Sequence, residues 1–138
     1  MDKVEQSVSC FTDGYSCSQA ILSTYGQIDR ATALKISAPF GGGMARMGET
    51  CGAVTGAFMV IGLKFAEDKK SKDNVYSQVN EFVSRFKARN KSIVCRELLG
   101  CELNTPEGQK HFKDNNLLAT RCTKLVRDAA EILEQLQP

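Results

Sequence analysis

With 138 residues, the chain has the length of one domain and enough residues to bury a hydrophobic core. Hydrophobic residues make up 42% and charged residues 25%, which excludes intrinsic disorder, and the net charge of +2 comes from Lys and Arg scattered among Asp and Glu. No basic tract of the kind that follows a phosphate backbone is present, residues 1–6 carry no apolar signal region, and the longest apolar stretch, 53–63, falls short of the roughly 20 residues a bilayer span needs.

No segment alternates with period two over the length of a strand, and apolar residues return at threes and fours. The pattern predicts an all-α fold, a single domain over residues 1–138 built as a compact bundle of five to seven helices. A first helix covers Asp2 to Phe11 and stops before Gly14. Ser16 then caps a second helix, with Gln19 as the reciprocal half of a capping box; this helix carries Cys17, Ala20, Ile21 and Tyr25 and ends at Gly26. A short helix follows Asp29 and ends near Pro39, before the flexible Gly41-Gly42-Gly43. Thr50 is expected to cap a helix through Val54, Phe58, Ile61 and Phe65. On that helix Gly52 and Gly56 stand one turn apart beside Ala53 and Ala57, a small-residue face that admits either a neighbouring helix or a cofactor at close range.

Residues 67–72 form a polar link, and a longer helix from Ser71 shows Val75, Val79, Phe82, Val83 and Phe86 on one stripe. Ser92 is expected to cap a short helix ending at Gly100, and Thr105-Pro106-Glu107 is a cap, proline and acid in the order that starts a helix. The last helix places Leu118, Cys122, Leu125, Val126, Ala129, Ile132, Leu133 and Leu136 on one face.

The six cysteines carry the functional signal. In the expected reducing cytoplasmic setting they serve as metal ligands, redox thiols or packed residues rather than permanent disulfides. Cys17 and Cys51 each follow a predicted cap, and Cys95 falls in the first turn after Ser92. Unpaired N–H groups and the helix dipole stabilise a thiolate there, so low thiol pKa values are expected at Cys17 and Cys51. Cys122 lies on a packed stripe, while Cys10 and Cys101 read as packed residues or as resolving partners of Cys17 or Cys95. No two cysteines form a CxxC pair, so spacing alone selects neither a zinc ribbon nor a ferredoxin run. His111 reads as a surface residue, and Gly41-Gly42-Gly43 before Met44-Ala45-Arg46 could cradle an anion but lacks the Lys-Ser/Thr ending of a phosphate loop.

Taken in order, Gly14-Tyr15-Ser16-Cys17-Ser18-Gln19-Ala20, Phe40-Gly41-Gly42-Gly43, Thr50-Cys51-Gly52-Ala53-Val54-Thr55-Gly56-Ala57, Cys95-Arg96-Glu97-Leu98-Leu99-Gly100 and Arg121-Cys122 resemble the C_GCAxxG_C_C family, bacterial and archaeal proteins associated with redox activity. The resemblance runs from about Gly14 to Leu136 and implies that Cys17, Cys51, Cys95 and Cys122 correspond to the principal cysteines of the family. One departure stands out. The family name puts cysteine directly before Ala-x-x-Gly, whereas Gly52 holds that place here and Cys51 precedes it, which on a helix turns the side chain by about 100°.

The resulting expectation is a redox protein, an oxidoreductase or electron-transfer protein, in which Cys17, Cys51, Cys95 and Cys122 converge in the bundle. They would bind an iron–sulfur cluster or zinc, or cycle between dithiol and disulfide, with Gly52 and Gly56 giving close approach to a cofactor. The competing expectation is a structural or interaction module with inert buried cysteines. Neither nucleic acid nor membrane is an expected partner; the redox partner is open, as is homo-oligomerisation.

Overall fold

A computed structural model describes residues Met1–Leu136. Eight helices form, α1 (Lys3–Thr12), α2 (Cys17–Tyr25), α3 (Arg30–Ser37), α4 (Gly52–Phe65), α5 (Lys72–Asn90), α6 (Cys95–Leu99), α7 (Pro106–Asp114) and α8 (Thr123–Gln135). Seven of the eight have at least seven residues, and the described residues contain no strand, which is the all-α bundle expected. None of these helices is long and apolar enough to cross a membrane.

The core forms where α2, α4, α5 and α8 meet. Ile21, Leu22, Val54, Ile61, Val126 and Ile132 are buried there, and Phe82 and Phe86 of α5 stack at 5.9 Å with Phe58 of α4 edge-on to Phe82 at 6.4 Å. Gly56 lets α2 and α4 approach closely. A Cβ at that position would lie 3.0 Å from the Ser18 carbonyl oxygen and 3.1 Å from Ile21 Cβ. Asp128 is buried on α8 and ties it to α5: it accepts from Arg89 Nη1 at 3.1 Å, Asn90 Nδ2 at 3.1 Å and Lys124 Nζ at 2.6 Å. Those three donors satisfy a carboxylate that would otherwise be costly inside.

Several helix starts follow the sequence. Ser16 Oγ accepts from the Gln19 amide at 3.3 Å, and Gln19 Oε1 accepts from the Ser16 amide at 2.9 Å, closing the capping box ahead of Cys17. Asp29 caps α3, and Thr105 caps α7 with Pro106 at its first position. The Ser16→Ala protein is expected to lose about 1 kcal/mol, read as a lower urea midpoint at unchanged slope; an unshifted midpoint would show that the cap is dispensable.

Two expected caps are absent. Thr50 is extended and bridged antiparallel to Val94, with Cys51 N–H donating to the Ile93 carbonyl at 2.8 Å and Cys95 N–H to the Glu49 carbonyl at 2.6 Å. This backbone pairing takes Thr50 out of the cap position, and Cys51 itself is the residue preceding α4, with no side-chain cap. Ser92 likewise does not cap α6: Val94 does, without a side-chain bond. Ser92 Oγ instead accepts from the Val94 amide at 2.9 Å and donates to Glu97 at 2.6 Å. Cys95 is therefore the first residue of α6.

The last helix also differs from its expected stripe. Residues Leu118–Cys122 form a π-helical turn ahead of α8, and Leu118 is 53% exposed instead of sharing a packed face with Cys122. The wider turn rotates what precedes it relative to α8.

Candidate functional site

Cys17, Cys51, Cys95 and Cys122 come from α2, the residue before α4, α6 and the end of the π turn, and all four line one cavity of about 540 Å³. Among the described residues no three Cys, His, Asp or Glu side chains are gathered closely enough to hold a metal ion. Within the cavity the thiols of Cys17 and Cys51 influence each other's ionisation most strongly.

Cys17 opens α2 at the capped end, half-buried. The neighbouring Cys51 thiol favours its thiolate most, and the backbone N–H groups of Gly42, Ser18 and Cys17 itself favour it further. Together these donors outweigh burial and draw its pKa from 9.0 down to about 7. Cys51 is the opposite case. It is 4% exposed, and its thiol is raised well above 9.0 by its interaction with the Cys17 thiol, by burial and by the neighbouring Cys17 charge. The expectation of a low pKa at both thiols thus holds in direction at Cys17 and fails at Cys51. A helix start cannot produce a second thiolate where the first already stands against it, because like charges at contact in a dry site exclude one another.

Gly52 makes room for the pair. A Cβ there would sit 2.4 Å from Cys17 Sγ and 3.0 Å from the Phe40 carbonyl oxygen, so the space over the Gly52/Gly56 face is filled by α2 and by the Cys17 sulfur. The glycine triplet works alongside it. A Cβ at Gly41 would lie 2.6 Å from Ser16 Cβ and one at Gly43 2.5 Å from Cys95 Cβ, so only glycine passes the chain between those side chains and brings the Gly42 amide to Cys17. The anion this segment faces is the Cys17 thiolate. Nothing local in the sequence marks Gly42 for this role, since the contact joins residues 25 positions apart.

Cys95 is 7% exposed, and burial, followed by the Cys17 charge, pushes its thiol up to about 12. Cys122 is half-buried and is likewise pushed up to about 12 by burial and then by Cys17, with Arg121 pulling weakly the other way. Both pack in a small apolar cluster with Leu99, Leu103, Leu117 and Cys101. Cys101 is raised by burial and by Glu102 but does not line the cavity. Cys10 lies elsewhere, 3.8 Å from Ser23 Oγ. His111 is exposed on α7 beside Asn115.

Comparison with curated proteins and with solved structures finds no match for this chain. A family model does match: the one described as "Putative redox-active protein (C_GCAxxG_C_C)" aligns over residues 15–136, a stretch that holds the capped Cys17, the paired Cys51 and the Cys95 and Cys122 walls of the cavity. The chain belongs to the C_GCAxxG_C_C family.

Proposed function

We propose that the protein is a dithiol–disulfide redox protein in which Cys17 is the attacking thiolate and Cys51 the resolving thiol. The observation that carries this reading is that Cys17 and Cys51 line one cavity in unequal settings, with the Cys51 thiol and three backbone N–H groups favouring a thiolate at Cys17 while burial and the Cys17 charge keep Cys51 protonated. Such asymmetry divides the labour of exchange chemistry. One sulfur is ionised near neutral pH and attacks first; the other keeps its proton until needed.

The step balances with a disulfide RS–SR as the oxidant. The Cys17 thiolate attacks one sulfur, the S–S bond breaks, and RS⁻ leaves with the electron pair, giving a mixed disulfide on Cys17. The Cys51 sulfur then attacks Cys17 Sγ while its proton passes to the second departing RS⁻. The substrate ends as two thiols and the protein as a Cys17–Cys51 disulfide, which a dithiol reductant restores. Cys95 and Cys122, both pushed up to about 12, stay protonated through this cycle and wall the site without competing as nucleophiles.

The reading predicts a pH signature. Alkylation of reduced protein by iodoacetamide, followed peptide by peptide, should place Cys17 on a curve that is flat above about 7 and falls about tenfold per unit below it. Cys95 and Cys122 should lag behind it throughout that range. A Cys17 curve still rising toward pH 9 would remove the thiolate and favour cysteines that serve only in packing.

A further inference from the structure

We infer that the cavity takes small disulfides bearing an acidic group, and that Arg46 is the residue that recognises that group. The inference rests on the Cys17/Cys51 dithiol reading and adds to it the chemical class of the substrate.

Among the residues that line the cavity, Arg46 is the one that carries a formal charge at neutral pH apart from the thiolate itself; the rest are uncharged, with Tyr15, Ser16 and Gln19 polar among mostly apolar or glycine residues. It is exposed, and the ion pairs of the described residues engage Arg85, Arg89, Arg96, Lys110, Lys124 and Arg127 but not Arg46. A cation at the mouth of an otherwise uncharged cavity, with no carboxylate of its own, is arranged to receive an anion from outside.

Its location bears on the nucleophile. Arg46 Cγ lies 3.1 Å from where a Cβ on Gly42 would be, so the arginine stem runs over the residue whose amide faces Cys17. The backbone also holds it in an uncommon way. Gly42, Gly43, Met44, Ala45 and Arg46 have φ of +70°, +65°, +67°, +56° and +70°, a continuous left-handed turn. Each of the three non-glycine residues in that conformation costs about 1–2 kcal/mol, and the turn persists because neighbouring structure fixes it. Ala45 N–H donates to the Gly41 carbonyl at 2.8 Å and Glu49 N–H to the Gly43 carbonyl at 2.9 Å, with Glu49 in turn receiving Cys95 N–H.

Size and burial select a small substrate. The attacking Cys17 is half-buried in the lining of a cavity of about 540 Å³, within the range that encloses small molecules, so the reacting disulfide must enter it. An acidic substituent meets a negative Cys17, and Arg46 offsets that repulsion while its fork donates two bonds to a carboxylate.

The test is single-turnover oxidation of the reduced protein by three disulfides of matched size: dithiodipropionate (anionic), hydroxyethyl disulfide (neutral) and cystamine (cationic). Each rate is divided by that of the same disulfide with a free model thiol. At low salt the anionic-to-neutral ratio should be about fivefold above unity and the cationic ratio below it, the size an exposed pair supports. R46Q should bring the anionic ratio to about one, R46E should invert it, and R46K should keep part of it. A wild-type ratio of one, or a ratio unmoved in R46Q and R46E, overturns anion recognition while leaving the dithiol reading in place. Failure of all three disulfides to oxidise Cys17 removes the dithiol reading and this inference with it.

Discussion

The Cys51→Ala protein is expected to hold a small thiol on Cys17 as a long-lived mixed disulfide, with release of the second thiol slowed at least a hundredfold. The order of attack requires it. Cys17 can still open the substrate disulfide, but nothing remains in contact with its sulfur to expel the second half. Removing Cys51 also deletes the largest influence holding the Cys17 pKa near 7, leaving only the amides of Gly42, Ser18 and Cys17. The pKa should rise toward 9.0, and the thiolate at pH 7 should fall from about half of the population to a few per cent. The first step should therefore slow about tenfold at pH 7 and hardly at all at pH 10. Intact mass before and after mixing, together with counting of released thiol, reads both effects. Prompt release of two thiols from Cys51→Ala would mean that another cysteine resolves the intermediate, and Cys122 would be the first to test.

A second large effect is expected at Gly52, where one methyl group reaches both the packing and the chemistry. Alanine in a helix normally gains about 1 kcal/mol over glycine. Here the added Cβ would lie 2.4 Å from Cys17 Sγ and 3.0 Å from the Phe40 carbonyl oxygen, and the second of these is backbone that cannot swing aside. Overpacking of this kind costs about 1–3 kcal/mol, so Gly52→Ala should be less stable despite its better helix propensity. The displaced Cys17 sulfur should also lose its place beneath the Gly42 amide, and its reactivity at pH 7 should drop severalfold. Thermal melting and the alkylation rate check the two parts separately. The control is Gly62→Ala on the same helix, where a Cβ meets nothing within 4 Å and a small gain in stability is expected. A Gly52→Ala protein as stable and reactive as the parent would show that α2 and α4 are not held at this spacing.

Much of this was readable along the chain wherever the cause is local. Ser16 with Gln19, Asp29, and Thr105 with Pro106 announce helix starts because the capping partners lie within three residues of each other. Thr50 misled for the converse reason. It has the composition of a cap, but its backbone is claimed by Val94, 44 positions away, and a long-range bridge leaves no trace in either segment. The site divides the same way. Part of the lowered Cys17 pKa, the share of the Ser18 and Cys17 amides, follows from its position on a capped helix, while the larger share comes from Cys51. That Cys51 would be a high one follows from its proximity to Cys17 and from its burial. The Gly42 amide and the left-handed turn ending at Arg46 belong to the same class of feature, set by what lies across the cavity.

The π-helical turn at Leu118–Cys122 has a consequence for how this chain tolerates changes in length. It holds one residue more than an α-helical turn would, so α8 and the residues before it are out of phase by about 100°. Deleting Ala119 would let the segment close into an unbroken α-helix with better backbone hydrogen bonds, a change that costs little locally. The phase would then be restored at the expense of whatever the offset now aims: Leu117, buried against Cys95 and Leu99, and Arg121, whose Nη1 donates to the Leu98 carbonyl at 2.9 Å. The packing behind the Cys95 wall of the cavity would be lost in a shortening that leaves every cysteine in the chain. Among relatives of this protein, the spacing between Leu117 and Cys122 is therefore a coordinate of the site in its own right, and an alignment gap there would mark a differently built wall.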